Sequence, residues 1–247
     1  MSSMPSPQIL VRPASERGHF NFGWLDTWHS FSFGDYRDPE WMGFRALRVI
    51  NDDYIAAGAG FPMHPHRDME IITYMLTGEL RHQDSMGNGS VIGAGDVQRM
   101  TAGTGIRHSE INATIDKEAH LLQIWLIPAQ NGLPPSYEDK HISEVRKLNR
   151  WCLVASPDGR SHSLMIHQDV ELWASILQEN HALDYVIQAG RCAYLHVARG
   201  QLMLNDQILS AGDAAMVSAG QRLEIQAQQS SEVLLFDLPE LPDAPLQ

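Results

Sequence analysis

The fold and a site are both indicated by one short stretch of the chain, which reads Phe61-Pro62-Met63-His64-Pro65-His66-Arg67-Asp68-Met69-Glu70. His64 and His66 stand two residues apart, and so do His108 and Glu110 in a second stretch, Gly105-Ile106-Arg107-His108-Ser109-Glu110. Alternate residues of an extended strand point to the same face, so each pair projects two side chains in one direction. Three imidazoles and a carboxylate form a ligand set for a divalent transition metal. We therefore predict a mononuclear metal site with His64, His66, His108 and Glu110 as ligands.

The composition bounds the size and the partners of the protein. Its 247 residues are enough for two domains or for one large β domain with a substantial core. The formal net charge is −12, from 30 acidic and 18 basic residues. Direct binding to a nucleic-acid backbone needs clustered Lys and Arg, and the sequence contains no such cluster. We expect no nucleic-acid partner.

The apolar runs and the cysteines bear on the location of the protein. The first residues, Met1-Ser2-Ser3-Met4-Pro5-Ser6-Pro7, lack the charged-then-apolar pattern of a signal peptide. No apolar run approaches the roughly 20 residues of a membrane span. Cys152 and Cys192 are flanked by apolar residues, which favours buried thiols over a disulfide. We therefore expect a cytoplasmic protein without membrane contact.

Short apolar runs between glycine-containing turns predict an all-β fold. Strands are predicted at residues 44–50 and 54–57, with Asn51-Asp52-Asp53 as a turn between them. Further strands are predicted at 8–12, 70–76, 79–83, 97–101 and 121–127. A Pro-rich linker at 128–135 and a short helix within 142–148 precede a second strand-rich half.

The second half of the chain repeats the first. Gly78-Glu79-Leu80 is echoed by Gly200-Gln201-Leu202, and Ala94-Gly95-Asp96 by Ala211-Gly212-Asp213, after which residues 97–103 match 214–220 without a gap. The glycines recur because the same tight turns need positive φ in both copies. The same register places Ile225 opposite His108 and Ala227 opposite Glu110. We predict two β-barrel domains, a metal-binding one at residues 1–132 and one without metal ligands at residues 133–247.

The motifs of the first half resemble those of a known family. Gly58, His64, His66, Glu70 and Gly78, followed by Gly95, Gly103, His108 and Asn112, resemble the paired motifs of the cupin superfamily. More narrowly, the sequence resembles the pirin family in His64-Pro65-His66-Arg67, in residues 100–110 and in Gln123-Ile124-Trp125. It is similar to the bacterial pirin-like proteins described as quercetin 2,3-dioxygenases. The resemblance implies a bicupin fold of two jelly-roll-like barrels, with an iron-type centre in the first and no metal in the second.

Two glutamates compete for the place of the carboxylate ligand. General cupins use the position of Glu70, whereas pirins use the Glu two residues after the third histidine, here Glu110. A His-x-Glu pair on one face of a strand converges without special geometry, so we favour Glu110. Glu70 would then support the ligands indirectly or form a hydrogen-bonded carboxylate of the core.

Two hypotheses for the function follow from this ligand set. In the first, the protein is a dioxygenase: the metal, Fe(II) or alternatively Ni, Mn, Cu, Co or Zn, binds the oxygens of a small flavonol-like aromatic substrate and O2, and Glu110 is the catalytic base. The name of the substrate comes from the resemblance alone. In the second, a pirin-like metal-bearing regulatory protein binds a protein partner and has no physiological turnover.

The remaining histidines are expected to serve other purposes. His82, His120, His167 and His196 lie in predicted strands, where a single histidine is more often a packing or surface residue than a ligand. The segment from Phe20 to Trp41 is dense in aromatic residues, which indicates core packing and cover for the mouth of a barrel. His19 and His29 lie in this segment and are candidates for the rim of a pocket.

Overall fold

The structure is a computed structural model that describes residues 9–218 and 220–240. Residues 1–8, 219 and 241–247 lie outside the described part of the chain, so the first residue of the strand predicted at 8–12 and one residue of the repeat at 214–220 are not described. The described chain divides into two compact units. The N-terminal unit consists of residues 17–144 and 154–169, and the C-terminal unit of the residues up to 16, 145–153 and those from 170 onward.

Strands make up most of both units, so the all-β prediction is confirmed. The chain begins with β1 (Ile9–Arg12), which belongs to the C-terminal unit. The N-terminal unit then contains β2 (Gly18–Asn21), β3 (Leu25–His29), β4 (Leu47–Ile55), β5 (Gly60–His66), β6 (Glu70–Thr77), β7 (Glu79–Asp84), β8 (Gly89–Gly93), β9 (Asp96–Thr101), β10 (Ile106–Asn112), β11 (Ala119–Leu126) and β12 (Ser136–His141). β13 (Cys152–Ser156) follows, and its last two residues pair in parallel with β14 (Leu164–Met165).

Two sheets form the N-terminal unit. The larger has the strand order β12-β9-β6-β11-β4-β3-β2, and the smaller has the order β5-β10-β7-β8. Period-two alternation is clearest in β7, where every second residue is buried, as expected for a strand with one face on a core. Apolar side chains from both sheets pack together in one cluster, which consists of Leu25, Ile55, Met75, Leu80, Ile92, Ala119 and Leu121.

The C-terminal unit has the same strand arrangement. Its strands are β15 (Glu171–Leu177), β16 (Ala182–Val186), β17 (Arg191–Arg199), β18 (Gln201–Leu204), β19 (Gln207–Ser210), β20 (Ala214–Val217), β21 (Arg222–Ala227) and β22 (Ser231–Pro239). The order β20-β17-β22-β15 repeats β9-β6-β11-β4, and β16-β21-β18-β19 repeats β5-β10-β7-β8. The predicted internal repeat is therefore confirmed at the level of sheet topology.

The edge strands of the larger sheets come from distant parts of the chain. β12 pairs with β9, and β1 occupies the corresponding place beside β20 in the C-terminal unit. Each compact unit is thus built from more than one chain segment. The single division between residues 132 and 133 stays a prediction about where the two sequence repeats meet.

One predicted turn is wrong. Residues 51–53 do not turn, because β4 runs without interruption from Leu47 to Ile55. The polar residues are held inside the strand by partners on its neighbours. Thr27 donates its hydroxyl hydrogen to Asp53 at 2.5 Å, and Asp52 accepts from His120 at 2.7 Å and from Arg17 at 3.2 Å. Hydrogen bonds that satisfy the two aspartates allow them to lie in a buried strand.

The helices are short. The segment predicted as a helix within residues 142–148 contains α1 (Glu144–Lys147), and 3-10 turns occur at Ala14–Glu16 and Arg160–His162. Within residues 9–218 and 220–240, no helix is long and apolar enough to cross a membrane. Cys152 and Cys192 are buried and free, as predicted.

The repeated glycines just before β7 and β18 have positive φ and lie against the backbone of a neighbouring segment. Gly78 and Gly200 have φ of 76° and 80°. A Cβ at Gly200 would lie 2.7 Å from Ser231 Cα and closer still to the Ser230 carbonyl oxygen, and a Cβ at Gly78 would lie 2.7 Å from Ala119 Cα. We expect Gly200→Ala to destabilise the protein by about 1–2 kcal/mol from φ alone and by about 1–3 kcal/mol more from the backbone contact.

The matched control is Gly190→Ala, because Gly190 has φ of 77° with no atom within 4 Å of an added Cβ. Urea unfolding followed by circular dichroism measures both variants, and only the φ contribution is expected for Gly190→Ala. Equal losses of stability in the two variants would contradict the close approach of β18 and β22.

Candidate metal centre

Two paired strands bring the three predicted histidine ligands together. β5 and β10 are antiparallel, with His108 opposite His64 and Ile106 opposite His66. The ring centroids lie 4.7 Å apart for His64 and His66, 4.5 Å for His64 and His108, and 4.9 Å for His66 and His108. One potential ligand atom from each of the three residues lies within 4.8 Å of the others. The period-two spacing in the sequence thus corresponds to a cluster of imidazoles on one face.

The protonation and the free ring nitrogens of these imidazoles suit metal binding. Burial lowers the pKa of His66 to about 4 and that of His108 to about 3, and the neighbouring histidines act in the same direction. Both rings are therefore neutral at physiological pH and keep a lone pair for a ligand. Both ring nitrogens of His108 are buried and have no hydrogen-bond partner among the described residues. His64 donates from Nδ1 to the Pro62 carbonyl oxygen at 2.7 Å, which leaves Nε2 as its ligand atom.

Glu110 follows a bulge in β10 and is 2% exposed. Its Oε1 accepts from Gln98 Nε2 at 2.5 Å and from Thr73 Oγ1 at 3.0 Å, and its Oε2 accepts from Gln123 Nε2 at 2.8 Å. These three donors lie on the facing sheet, on β9, β6 and β11. The carboxylate is thereby fixed between the two sheets. A carboxylate oxygen of Glu110 lies within 4.8 Å of His82 and His108, whereas the cluster of His64, His66 and His108 does not include Glu110. The role of Glu110 as the fourth ligand therefore stays a prediction.

His82 lies beside the predicted ligands, although its sequence position predicted only a packing or surface residue. His82, His108 and Glu110 form a second group of ligand-type atoms within 4.8 Å of one another. His82 lies opposite Glu110 in the pairing of β7 with β10, and its ring stacks on Tyr137 with a centroid distance of 4.4 Å. Its Nε2 lies 3.4 Å from Asp84 Oδ2. Its alternation with buried residues of β7 was the only sequence signal, and this signal is common to any core histidine.

Glu70 lies apart from both groups of ligand-type residues. It is fully buried and accepts a hydrogen bond from the backbone N–H of His167 at 3.2 Å. The His167 ring lies 3.4 Å from the same oxygen. Both contacts involve Oε2, and Oε1 is buried without a hydrogen-bond partner among the described residues. The role of Glu70 outside the set of metal ligands stays a prediction.

The other histidines divide between packing and the wall of a cavity. His120 bonds to Asp52 and stacks on Tyr54 at 3.9 Å, and His19 stacks on Trp28 at 4.4 Å. His29 is 6% exposed and lines a cavity of about 290 Å³. Burial lowers the pKa of His29 to about 4, so this ring is neutral.

The cavity is lined mainly by the aromatic segment. Phe20, Phe22, Trp24, Phe33 and Phe61 form most of its wall. Two contacts connect this wall to the imidazoles. The Phe61 ring lies 6.3 Å from that of His64, and Phe33 packs edge-on against Trp125, which packs edge-on against His66 at 4.9 Å. The cavity thus adjoins the cluster of imidazoles.

Comparison with known proteins connects both units to one family. Residues 11–126 match the family model for pirin, and residues 153–238 match that for the quercetinase C-terminal cupin domain. A quercetin 2,3-dioxygenase of Escherichia coli K12 is 49% identical over 231 residues, which cover 94% of this chain and 99% of that protein. A putative quercetin 2,3-dioxygenase of Pseudomonas aeruginosa is 44% identical over 93% of this chain and 99% of its own length.

A solved structure agrees with the fold described above. The bacterial pirin YhhW of Escherichia coli, in complex with nickel(II), superposes with a TM-score of 0.90 at 48% identity. The alignment covers 94% of this chain and 100% of that one. The two family models and the repeated order of strands agree with the predicted bicupin fold of this chain. Identity of this extent along nearly the whole of both chains shows that the protein belongs to the pirin family.

Proposed function

We propose that this protein is a metal-dependent dioxygenase that acts on a planar, enolisable aromatic substrate of the flavonol class. The observation that carries the proposal is the cluster of three imidazoles beside a cavity lined with aromatic rings. Neutral nitrogen donors suit a transition metal, and an apolar cavity suits a flat aromatic molecule. The names of the relatives from Escherichia coli and Pseudomonas aeruginosa support the same substrate class.

The residues present fit one divalent metal ion. His64, His66 and His108 would hold it, with Glu110 as the fourth ligand. The buried nitrogens of His108 without protein partners are the strongest sign of the fit, since a buried nitrogen normally has one. The nickel(II) complex of YhhW supports a divalent first-row ion. Fe(II) is our preferred ion, and Ni, Mn, Cu, Co and Zn are alternatives, because imidazole and carboxylate donors accept all of them.

The chain's own residues prepare the site for this chemistry. When bound, the metal would lower the pKa of a substrate hydroxyl group and provide positions for substrate and O2. Glu110 is placed to accept the released proton, because its carboxylate is held by Gln98, Thr73 and Gln123 in one orientation. The aromatic wall excludes water from the substrate, which protects an electron-rich anion from protonation.

Oxygen uptake tests the proposal directly. Protein reconstituted with Fe(II) or Ni(II) is expected to consume O2 in the presence of quercetin, and protein treated with a chelator is expected not to. This result would identify a small aromatic substrate and O2 as the binding partners of the protein. The expected lack of a nucleic-acid partner and the expected cytoplasmic location stay predictions. Metal-dependent binding of a protein partner without O2 uptake would instead favour the regulatory alternative.

Removal of a histidine ligand should remove the metal but not the fold. Ala in place of His64, His66 or His108 is expected to reduce bound metal and O2 uptake to background, while circular dichroism stays unchanged. The reason is that the C-terminal unit forms the same sheets although β16 and β21, its counterparts of β5 and β10, contain no histidine. Loss of the native spectrum in the His108→Ala variant would show that the metal is structural.

The two glutamates give a sharper test of the ligand set. Glu110→Gln should lower both metal content and O2 uptake, because an amide is a poor ligand and cannot accept the proton. Its amide hydrogens would also face the N–H groups of Gln98 and Gln123. Glu70→Gln is the matched control and should keep its metal, with at most the tenfold to hundredfold loss of activity typical of residues that support ligands.

Metal analysis and O2 uptake are measured on both variants side by side. Loss of metal in Glu70→Gln with normal metal in Glu110→Gln would contradict the pirin-type ligand set and restore the general cupin arrangement.

A further inference from the structure

One wall of the aromatic cavity is polar. Thr27 and His29 on β3 lie opposite Asp53 and Asn51 on β4, and all four residues line the cavity. The remaining wall is largely aromatic. A ligand that merely filled the space would not need these groups, so the polar wall has to be explained by what it binds.

Asn51 has an acceptor atom without a donor. The residue is 4% exposed, and its Oδ1 is buried and makes no hydrogen bond within the part of the chain that the structure describes. A buried acceptor in this state is unfavourable, because it has lost its hydrogen bonds to water without gaining a donor from the protein. Since Asn51 lines the cavity, a ligand that brings an O–H or N–H group to this wall would supply that donor.

Asp53 provides a second polar group beside it. The side chain is 2% exposed and accepts the Thr27 hydroxyl hydrogen at 2.5 Å. Burial raises the pKa of Asp53 to about 7, against the Thr27 hydrogen bond and with help from the charges of Asp52 and Glu110. With His29 also neutral, this wall suits uncharged hydroxyl groups better than an ionic partner.

The polar wall lies close to the predicted metal ligands. Asn51 is the direct neighbour of Gln123 in the pairing of β4 with β11, and Gln123 donates to Glu110 at 2.8 Å. Paired strands lie roughly 4.8 Å apart. One small aromatic molecule can therefore reach from the imidazoles to Asn51.

We propose that Asn51 and Asp53 bind the hydroxyl groups on the part of the substrate that points away from the metal, and so select hydroxylated planar aromatics over unsubstituted ones. The inference rests on the proposed function, because the other end of the same molecule would occupy the imidazole cluster. Asn51 Oδ1 accepts one phenolic hydrogen, and the Asp53 carboxyl group exchanges a hydrogen bond with a neighbouring hydroxyl.

Two ligands separate this selection from general binding. Quercetin carries several ring hydroxyl groups, whereas the parent flavonol carries only the enolisable hydroxyl beside its carbonyl. Their dissociation constants are measured by equilibrium dialysis with nickel-loaded wild type, Asn51→Leu and Asp53→Leu. Leucine keeps the number and branching of the side-chain heavy atoms and removes the polar ones, so we expect each variant to bind quercetin about tenfold more weakly and the parent flavonol no less tightly.

The controls distinguish recognition from damage. Asn131→Leu makes the same change at an exposed linker residue and should bind both flavonols like wild type. Normal metal content and normal binding of the parent flavonol show that a variant is folded. Equal weakening for both flavonols, or no weakening for quercetin, would overturn the inference.

Failure of the proposed function has a different signature. Wild-type protein that binds quercetin selectively through Asn51 but consumes no O2 would refute the dioxygenase and leave the selection of hydroxylated ligands standing. Turnover of both flavonols with equal efficiency in wild type and in both variants would support the dioxygenase and refute the selection of hydroxylated ligands.

Discussion

The buried carboxylate of Glu110 is the group on which the arrangement of the site depends. A carboxyl group buried between two sheets is tolerated only if its oxygens are hydrogen-bonded, because a buried polar group left unpaired costs roughly 1–3 kcal/mol. Gln98, Thr73 and Gln123 supply the donors from three adjacent strands of the facing sheet. This requirement fixes the register of β10 relative to β9, β6 and β11. His108 lies two residues before Glu110 on the same strand and is opposite His64 in the pairing of β10 with β5.

The donors belong to a row of polar residues that crosses six of the seven strands of the larger sheet. Successive pairings place one member on each strand, in the order His29, Asn51, Gln123, Thr73, Gln98 and Asp139. The middle of the row holds Glu110, and one end enters the aromatic cavity. A single line of cross-strand neighbours thus connects the predicted ligands to the wall that would bind the substrate.

Much of the fold and of the site was predictable because the signals were local. The His-x-His and His-x-Glu pairs needed only the period of a strand, and the repeated glycines marked turns with positive φ in both copies. The failures involve partners far away in sequence. Asn51-Asp52-Asp53 resembled a turn because Thr27 and His120, which satisfy the aspartates, lie on other strands. His82 looked like any core histidine until the pairing of β7 with β10 placed it opposite Glu110.

The C-terminal unit shows what happens when the polar row is absent. The two larger sheets correspond strand by strand, so the positions of Thr73, Gln98 and Gln123 are taken by Leu195, Ala215 and Leu235. The counterpart of β10 is β21, whose buried positions are Leu223, Ile225 and Ala227. All six belong to one buried hydrophobic cluster.

This exchange is concerted for a physical reason. Removing Glu110 alone would leave the buried Gln123 Nε2 without an acceptor and would take one of two acceptors from Gln98 and from Thr73, whereas replacing the whole set by apolar residues leaves no polar group unpaired. Single steps between the two kinds of core are therefore unfavourable, and intermediate mixtures are unstable. The two units therefore have two different kinds of core. The N-terminal core is polar and positions a carboxylate beside histidines, and the C-terminal core is apolar and contributes packing alone.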